Sequence, residues 1–568
     1  MKNLEINNRW VTGLIVLLVV INLVYAGYFI EDAFAGHNMI SNLVMAAAPI
    51  NGLGLPYMDY WDIYPPGIYM FLSPFEFFFH GETIVFKIIH VFFSIIIGVI
   101  VLKFLIYFFH KQFHSAIPIT LFFILYLLLS NYFYTILFHN AFLALLFSCC
   151  GLYLLSFSKK SWIKYLLSTL LFAFSASIKE TYLVTVFLPL LYISSRYLLR
   201  EKKSIKLFVK RFLYIITGIV LLLLLNYTYL KILGINDYYK EVSAFKSKTI
   251  GGNSIVGLFN TLNPFNLYHL GMKFKELNQA FFNYSNAIIY SIYLMAFLMV
   301  LIPFRIQKVN GNWRNKSNTW SHDEGMKILI FGFLLLHFEG FQLLNKYGPN
   351  YTLQMVPSLL LAIAFMYYQL DIISKKYLRT KSTNTHYVYK TSISTFIILC
   401  FIWLSNPRIE NFCYYKFLSL KEYTSGLCLK KPKIVIPEKV KKHMNDDNRV
   451  LYIYGWGTPY YYYFSNTKPF TRFYIIHPSI LGEKQIQEFV QQFKKELPKV
   501  VMYTETYSDM NTQEFERKVI ELKSLLTKCY EFYPTNSLSM FHCEGYYLLK
   551  DENYFKQHLN EFIAKKFL

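Results

Sequence analysis

The N-terminal part of the sequence contains two pairs of closely spaced acidic residues. Glu31 and Asp32 are adjacent and directly follow an apolar run, and Asp59 and Asp62 follow some thirty positions later. A carboxylate can act as a general base when the proton that it takes lies within hydrogen-bonding reach. Adjacent carboxylates at the end of an apolar run are costly unless they face water or a cavity. The alternative interpretation is that Glu31 and Asp32 only end a helix at a membrane interface.

Aromatic residues surround the second acidic pair. Residues 52–67 read GLGLPYMDYWDIYPPG, which places Tyr57 and Trp61 within a few positions of Asp59 and Asp62. Carboxylates accept hydrogen bonds from sugar hydroxyls, and aromatic rings pack against the C–H faces of a sugar. This combination predicts a sugar-binding segment. An aromatic belt at the membrane–water interface is the competing interpretation.

Three further ionisable residues lie within or next to other apolar runs. Lys179 occupies a very short hairpin between two runs, and Lys346 follows another run. Either ammonium group could hold a phosphate at the membrane surface, or it could extend to lipid headgroups instead. Glu339 lies well inside an apolar run, where an ionisable group is a candidate functional residue. It could line a catalytic cavity or pair with Lys346.

The composition places these residues in a polytopic helical membrane protein. Of 568 residues, 55% are hydrophobic and only 16% are charged, whereas soluble domains average about 25% charged residues. This excludes a disordered chain, a fibrous repeat and an ordinary cytosolic enzyme. A membrane-spanning helix needs about 20 apolar residues. The apolar runs predict about eleven spans, near residues 10–30, 84–109, 116–135, 137–157, 161–178, 180–198, 208–232, 284–304, 326–344, 351–370 and 391–405.

Basic residues in the loops orient the predicted spans. The net charge is +23, and most of the excess lies between apolar runs, so we expect no binding to nucleic acid. Cytoplasmic loops carry an excess of Lys and Arg. With the N-terminus inside, the strongly basic loops all fall on the cytoplasmic side; they are residues 159–164, 196–211, 305–316 and 375–381. Residues 31–83, residues 233–283 and the tail from residue 406 are then expected outside. We expect the first span to be retained, because no clear signal-peptide cleavage site follows it.

The sequence becomes more polar from residue 406 onward. Apolar and aromatic runs predict strands at 450–455, 499–505 and 543–551, and the intervening patterns predict helices at 484–496 and 512–528. Strands that alternate with helices favour a small α/β domain. We therefore predict two domains, a transmembrane domain over 1–405 and an extracytoplasmic α/β domain over 406–568.

The tail also contains four of the seven cysteines. An even number of cysteines in an oxidising compartment permits disulfides. Proximity in the sequence favours the pairs Cys413–Cys428 and Cys529–Cys543, and four free thiols are the alternative. The other three cysteines lie within predicted spans, where we expect them to act as apolar packing residues.

The acidic pair and the motif that follows it resemble those of a known family. Glu31-Asp32 followed by G-x-P-Y-x-D-x-W-D-x-x-P-P (54–66) is similar to the membrane glycosyltransferases of the GT-C fold. More narrowly, it resembles the group containing protein O-mannosyltransferases and lipid A aminoarabinose transferases. Three further stretches fit in the same order; they are SIKETYLVTVFLP (177–189), NKYGPNYTLQMVPSLLLAIAF (345–365) and RVLYIYGWGTPYYYYFSNTKPFTRFY (449–474).

This resemblance implies a reaction on the outer face of a bacterial cytoplasmic membrane. The donor would be a polyprenyl-phosphate-linked sugar, and the acceptor would be a hydroxyl of a glycan, a lipid or a protein. The resemblance implies Asp32 or Glu31 as the base, with Asp59 assisting, and it makes Lys179 and Lys346 phosphate ligands. The residues expected to contact the sugar or the acceptor are Asp62, Tyr57, Trp61, Glu339 and Tyr351.

The sequence departs from the family pattern at several places. The acidic pair reads Glu-Asp where the family usually has Asp-Glu, which leaves the choice between Glu31 and Asp32 open. The family's His-Tyr pair is replaced by Asn350-Tyr351. Some GT-C enzymes bind a divalent metal, but no ligand set for one stands out in this sequence, and no other cofactor is implied.

Two other functions remain as alternatives. A transporter or flippase of lipid-linked glycans would belong to a different class of protein. Transporters typically show repeated halves and broken helices at the membrane midplane, and the sequence shows neither pattern. A glycan polymerase or ligase would share the donor but move longer chains.

Overall fold

A computed structural model gives the fold of the chain. It describes residues 8–29, 37–80, 82–113, 117–133, 140–199, 205–249, 329, 357, 360, 361, 364, 435–444, 449–453, 458–473, 483–495, 498–503, 530–535 and 545–550. These residues form two compact units. We call the first the helical unit; it contains residues 8–29 and 87–226 together with the five isolated positions. We call the second the mixed unit; it contains residues 37–86, residues 227–249 and the described residues from 435 onward.

The described part of the chain is mostly helical. The N-terminal helices are α1 (Asn8–Phe29), α2 (His37–Ala47), α3 (Gly67–Phe79), α4 (Thr83–Phe113), α5 (Ile117–Phe133) and α6 (Asn140–Phe157). A π-helical turn (Ile163–Leu167), α7 (Ser168–Ile178), a 3₁₀ segment (Glu180–Phe187), α8 (Leu188–Leu199), α9 (Ile205–Ile232) and α10 (Asn236–Thr249) come next. The C-terminal helices are α11 (Glu438–Met444), α12 (Thr458–Ser465) and α13 (Glu483–Lys495).

Three of these helices contain stretches long and apolar enough to cross a membrane. They are Ile88–Tyr107 in α4, Asn140–Phe157 and Ile205–Ile232, with mean hydropathies of 2.6, 1.8 and 2.2. The described part of the chain is therefore that of a helical membrane protein. Each of the three coincides with a predicted span. The spans predicted at 284–304, 326–344, 351–370 and 391–405 lie outside the described residues, apart from five isolated positions.

Small residues bring α6 and α7 together in the helical unit. The hydroxyls of Ser148 and Ser175 are 2.8 Å apart, and Ser175 Oγ donates to Ala144 O at 2.6 Å. Gly151 lies against the ring of Phe172, so closely that an added Cβ would be 3.0 Å from a ring carbon. Serine and glycine at such positions allow membrane helices to approach closely and to share hydrogen bonds.

A five-stranded sheet forms the C-terminal part of the mixed unit. Its strands are β1 (Arg449–Ile453), β2 (Lys468–Pro469), β3 (Val500–Tyr503), β4 (Tyr530–Pro534) and β5 (Gly545–Leu549), in the spatial order β2-β1-β3-β5-β4. β1 pairs in parallel with β2 and β3, and β5 pairs antiparallel with β3 and β4. The central positions Val450, Leu451, Val500, Val501 and Leu548 are buried. The strands predicted from the sequence coincide with β1, β3 and β5, and α13 coincides with the helix predicted at 484–496.

Two earlier segments of the chain, residues 37–86 and 227–249, belong to the same compact unit as this sheet. α2 packs against both α3 and α12, and residues 227–249 contribute α10. The domain boundary predicted at 405/406 lies outside the described residues, as do the helix predicted at 512–528 and the four cysteines of the tail. Cys149 and Cys150 are free thiols within α6.

Candidate functional site

The segment 53–62 folds back on itself through Asp59. The Leu55 N–H donates to Asp59 Oδ2 at 2.7 Å, and the Asp59 N–H donates to Leu55 O at 2.9 Å. Gly54 has a φ of +133°, and a Cβ added there would lie 2.7 Å from Asp59 Cβ. Only glycine fits this conformation and this spacing. The turn therefore fixes the Asp59 carboxylate through one of its two oxygens.

The aromatic residues of this segment are packed inside the mixed unit. Tyr57 is fully buried at a φ of +64°, and its hydroxyl donates to Tyr64 O at 2.8 Å. Its ring packs 5.1 Å from the ring of Tyr239 on α10. A positive φ is uncommon for a bulky residue and is maintained only where the surroundings determine it. The buried hydroxyl and ring contacts provide such surroundings.

Trp61 and Asp62 are also buried. The Trp61 ring packs 5.5 Å from Phe245 on α10 and 5.7 Å from Phe473 in the C-terminal segment. Asp62 Oδ1 accepts a hydrogen bond from the Tyr64 N–H at 3.2 Å. The two side chains thus contribute to packing and to the local turn, and their predicted contacts with a sugar stay predictions.

One arginine links the three segments of the mixed unit. The backbone carbonyl of Arg472 accepts from the Trp61 N–H at 2.6 Å, and its guanidinium lies 4.8 Å from the centre of the Trp61 ring. On its other side, Arg472 donates to both oxygens of Glu241 at 3.1 and 3.2 Å and to Glu488 Oε2 at 2.5 Å. We call Trp61, Glu241, Arg472, Phe473 and Glu488 the Arg472 cluster. Paired, two-oxygen contacts of this kind are geometrically specific to arginine.

The charges of the Arg472 cluster stabilise one another. Burial acts to lower the pKa of Arg472, but the hydrogen bonds and negative charges of Glu488 and Glu241 outweigh it, so the pKa lies above its ordinary value. Burial acts to raise the pKa of Glu241, but the hydrogen bond and charge of Arg472, with a contribution from Lys484, hold that pKa below its ordinary value. The cation of Arg472 and the negative charge of Glu241 therefore stabilise each other.

A second polar link joins α3 to α12. The Tyr463 hydroxyl donates to Glu76 Oε1 at 2.7 Å, and Glu76 is only 2% exposed. Burial and, next, the negative charge of Glu76 raise the pKa of Tyr463 well above its ordinary value. The phenol therefore remains protonated and able to donate. A buried carboxylate without such a donor would be strongly destabilising.

A cleft of about 440 Å³ opens beside the Arg472 cluster within the mixed unit. All three segments of the unit line it: Met58 and Asp59, then Tyr238 and Glu241, and then residues of the C-terminal segment. The cleft has the size of a small-molecule site, which typically spans about 300–1,000 Å³. Asp59 is the predicted site residue that lines it.

The other predicted site residues are distributed as follows. Lys179 lies in the helical unit, buried, with an extended backbone between α7 and the 3₁₀ segment that follows. Its N–H donates to Ser175 O at 3.0 Å, and its carbonyl accepts from the Tyr182 N–H at 3.0 Å. The remaining predicted residues lie outside the described part of the chain; they are Glu31, Asp32, Glu339, Lys346 and Tyr351.

Sequence patterns alone did not point to the residues that hold this site together. Arg472 and Glu241 are 231 positions apart, and Tyr463 and Glu76 are 387 positions apart. The one available signal was the shared outer-side assignment of their loops. Within the described ranges, no group of three or more His, Cys, Asp or Glu residues is placed to hold a metal ion.

Comparison with known proteins adds no relative to this description. No protein-family model matches the chain. No curated protein matches it either. The proposals that follow rest on the residues and their geometry.

Proposed function

We propose that this protein is an inverting glycosyltransferase of the GT-C type. It transfers a sugar from a polyprenyl-phosphate-linked donor to an acceptor hydroxyl on the outer face of a bacterial cytoplasmic membrane. The observation that carries the proposal is the setting of the motif at 54–66. Its carboxylates and aromatic residues belong to one compact unit with residues 227–249 and the C-terminal segment. The chain also contains a helical unit of membrane-protein character.

The three segments that form the mixed unit support the predicted orientation of the chain in the membrane. Loop charges predict that residues 31–83, residues 233–283 and the tail from 406 all lie outside. Segments from these three regions can form one compact unit only if they lie on the same side of the membrane. Between the first two regions the sequence predicts six spans, and an even number returns the chain to the side from which it started. In the full proposal, about eleven spans leave the N-terminus inside and the C-terminal domain outside.

The chemistry requires a base and a site for the leaving phosphate. Asp32 or Glu31 removes the proton from the acceptor hydroxyl while its oxygen attacks the anomeric carbon. The bond between that carbon and the phosphate oxygen breaks, the phosphate keeps the electron pair, and the configuration inverts. Phosphate is a good leaving group, so the reaction needs positive charge rather than a strong acid. Lys179 and Lys346 supply that charge.

Asp59 has a positioning role in this proposal. Its Oδ2 is engaged by the Leu55 N–H. Asp59 lines the cleft, and within the described residues its Oδ1 forms no hydrogen bond, so we propose that Oδ1 accepts one from a substrate hydroxyl. Asp62, Tyr57 and Trp61 support the same segment, and Glu339 and Tyr351 are proposed to approach the sugar or the acceptor.

A transfer assay tests this function directly. Full-length protein in nanodiscs is incubated with radiolabelled polyprenyl-phosphate sugars and envelope glycans, lipids or proteins as acceptors. We expect transfer by the wild type and a loss of about a hundredfold or more in Asp32→Asn or Glu31→Gln. Asp237→Asn is the matched control, because Asp237 is an exposed carboxylate of the mixed unit that pairs only with Lys240 among the described residues.

Two results would contradict the proposal. Undiminished transfer in both Asp32→Asn and Glu31→Gln would remove the base assignment. Transfer from a nucleotide sugar without polyprenyl phosphate, or movement of the lipid-linked sugar across the bilayer without transfer, would remove the proposed donor or the proposed class of protein.

A further inference from the structure

The C-terminal end of α3 exposes three consecutive phenylalanines. Phe77, Phe78 and Phe79 are 58%, 70% and 36% exposed. Their rings contact one another, with centroids 5.3 Å apart for Phe77 and Phe78 and 6.4 Å apart for Phe78 and Phe79. A run of exposed apolar side chains is unfavourable in water and marks a surface that an apolar partner covers.

The other face of α3 is already used by the fold. Ile68, Leu72 and Glu76 follow one another at a spacing of four residues and are all buried. α3 packs against α2, and Glu76 accepts the hydrogen bond from Tyr463 of α12. Glu76 is also the only charged residue in the sequence of α3, so the exposed phenylalanines carry no charged neighbour within their own helix.

The start of α4 places this end of α3 close to a membrane-spanning stretch. The Glu82 N–H donates to Phe79 O at 2.9 Å, so α3 ends directly beside the beginning of α4. The stretch of α4 that is long and apolar enough to cross a membrane begins at Ile88, five positions or about 8 Å of helix beyond Thr83. The headgroup layer on each side of the hydrocarbon core is about 5–8 Å thick. A span that enters the hydrocarbon at Ile88 therefore holds Thr83, and Phe79 beside it, at the headgroup layer.

We propose that Phe77–Phe79 insert into the boundary between the headgroups and the acyl chains of the bilayer and anchor the mixed unit to the lipid surface. Zwitterionic lipid is a sufficient partner, because the inserted side chains are uncharged and the burial of their apolar area supplies the binding. Through Glu76 and Tyr463 the same helix holds α12, so the anchor also keeps the C-terminal segment at the membrane surface. Such anchoring is independent of the proposed transfer reaction.

Site-specific photocrosslinking in the full-length protein tests the anchor. Phe78 is replaced by p-benzoylphenylalanine, the protein is reconstituted into vesicles of phosphatidylcholine alone, and mass spectrometry after irradiation detects covalent lipid adducts. We expect a phosphatidylcholine adduct at Phe78 and also at Ile88, the positive control, which is 60% exposed at the start of the membrane-spanning stretch. The same probe at Lys441, an exposed position of α11, should give at least about tenfold less adduct. The probe at Phe77 is the second variant, in case the first does not fold.

Two results would overturn the anchor. The first is a yield of lipid adduct at Phe78 and Phe77 that is no higher than the yield at Lys441. The second is a crosslink from Phe78 to protein instead of lipid, either to a second copy of the chain, seen at twice the mass, or to another segment of the same chain, seen in the mapped peptides. Another protein surface would then cover the phenylalanines in place of the bilayer.

Discussion

Replacement of Arg472 by glutamine should release the first loop from the C-terminal segment. The side chain of Arg472 is 11% exposed, whereas those of Glu241 and Glu488 are 30% and 37% exposed. A hydrogen bond to a charged group contributes about 1.5–3 kcal/mol, and a cation–π contact contributes about 0.5–2 kcal/mol. Water can reach both carboxylates and recovers part of that energy. We therefore expect Arg472→Gln to lower the free energy of local opening by about 3 kcal/mol.

The conservative variant separates charge from geometry. Arg472→Lys keeps the positive charge but loses the planar fork that contacts both oxygens of Glu241 and the Trp61 ring. We expect it to lose about half as much free energy as the glutamine variant.

Amide hydrogen exchange on the full-length protein measures this effect. A loss of about 3 kcal/mol corresponds to on the order of a hundredfold faster exchange in peptides that cover 57–64 and 468–473. Lys439→Gln is the control, because it breaks an ion pair with Glu531 in which the two side chains are 53% and 56% exposed. That exposed pair should contribute less than about 0.5 kcal/mol. Exchange of 57–64 in Arg472→Gln within about threefold of the wild type would refute the linking role of this residue.

Three further predictions concern the same unit. Gly54→Ala should destabilise the turn by about 3 kcal/mol, because a Cβ at this position collides with Asp59. Gly52→Ala should destabilise it by only about 1 kcal/mol, because a Cβ there has open space. Hydrogen exchange of residues 53–62 compares the two variants. Tyr463→Phe should cost about 2 kcal/mol by removing the hydrogen bond to the buried Glu76 Oε1, and an unchanged unfolding temperature would contradict this. The folded-state pKa of Glu241 is lowered, so its stabilisation is present above the ordinary value of 4.5 and is lost as the pH falls through the folded-state value. Protection of residues 57–64 should therefore decrease below about pH 4.5, and it should decrease less steeply in Glu241→Gln than in the wild type.

The sequence predicts those elements whose signal is local. The spans around α4, α6 and α9 are visible because a membrane helix must be long and apolar. β1, β3 and β5 are visible because buried strands are short runs of apolar and aromatic residues. β2 comprises only Lys468 and Pro469, which is too short for any pattern.

The assembly of the site depends on contacts that no local pattern contains. Nothing around Arg472 in the sequence indicates that it meets Trp61 and Glu241. The aromatic residues of the first loop show the same limit, since a tyrosine that packs in a core and one that contacts a sugar have the same neighbours in the sequence. The structure uses Tyr57 for packing and places Asp59 at a cleft.

Labelling of single cysteines tests the central claim most directly, namely that the first loop and the C-terminal segment form one unit on the outer face. Each variant carries a single thiol at an exposed position in a cysteine-free background. Met58→Cys lies in the first loop, Lys441→Cys lies in the C-terminal segment, and Lys160→Cys lies in a loop predicted to be cytoplasmic. We predict that an impermeant maleimide labels the first two in intact spheroplasts and the third only after permeabilisation. Labelling of Met58→Cys only after permeabilisation, or opposite sidedness of Met58→Cys and Lys441→Cys, would contradict the account.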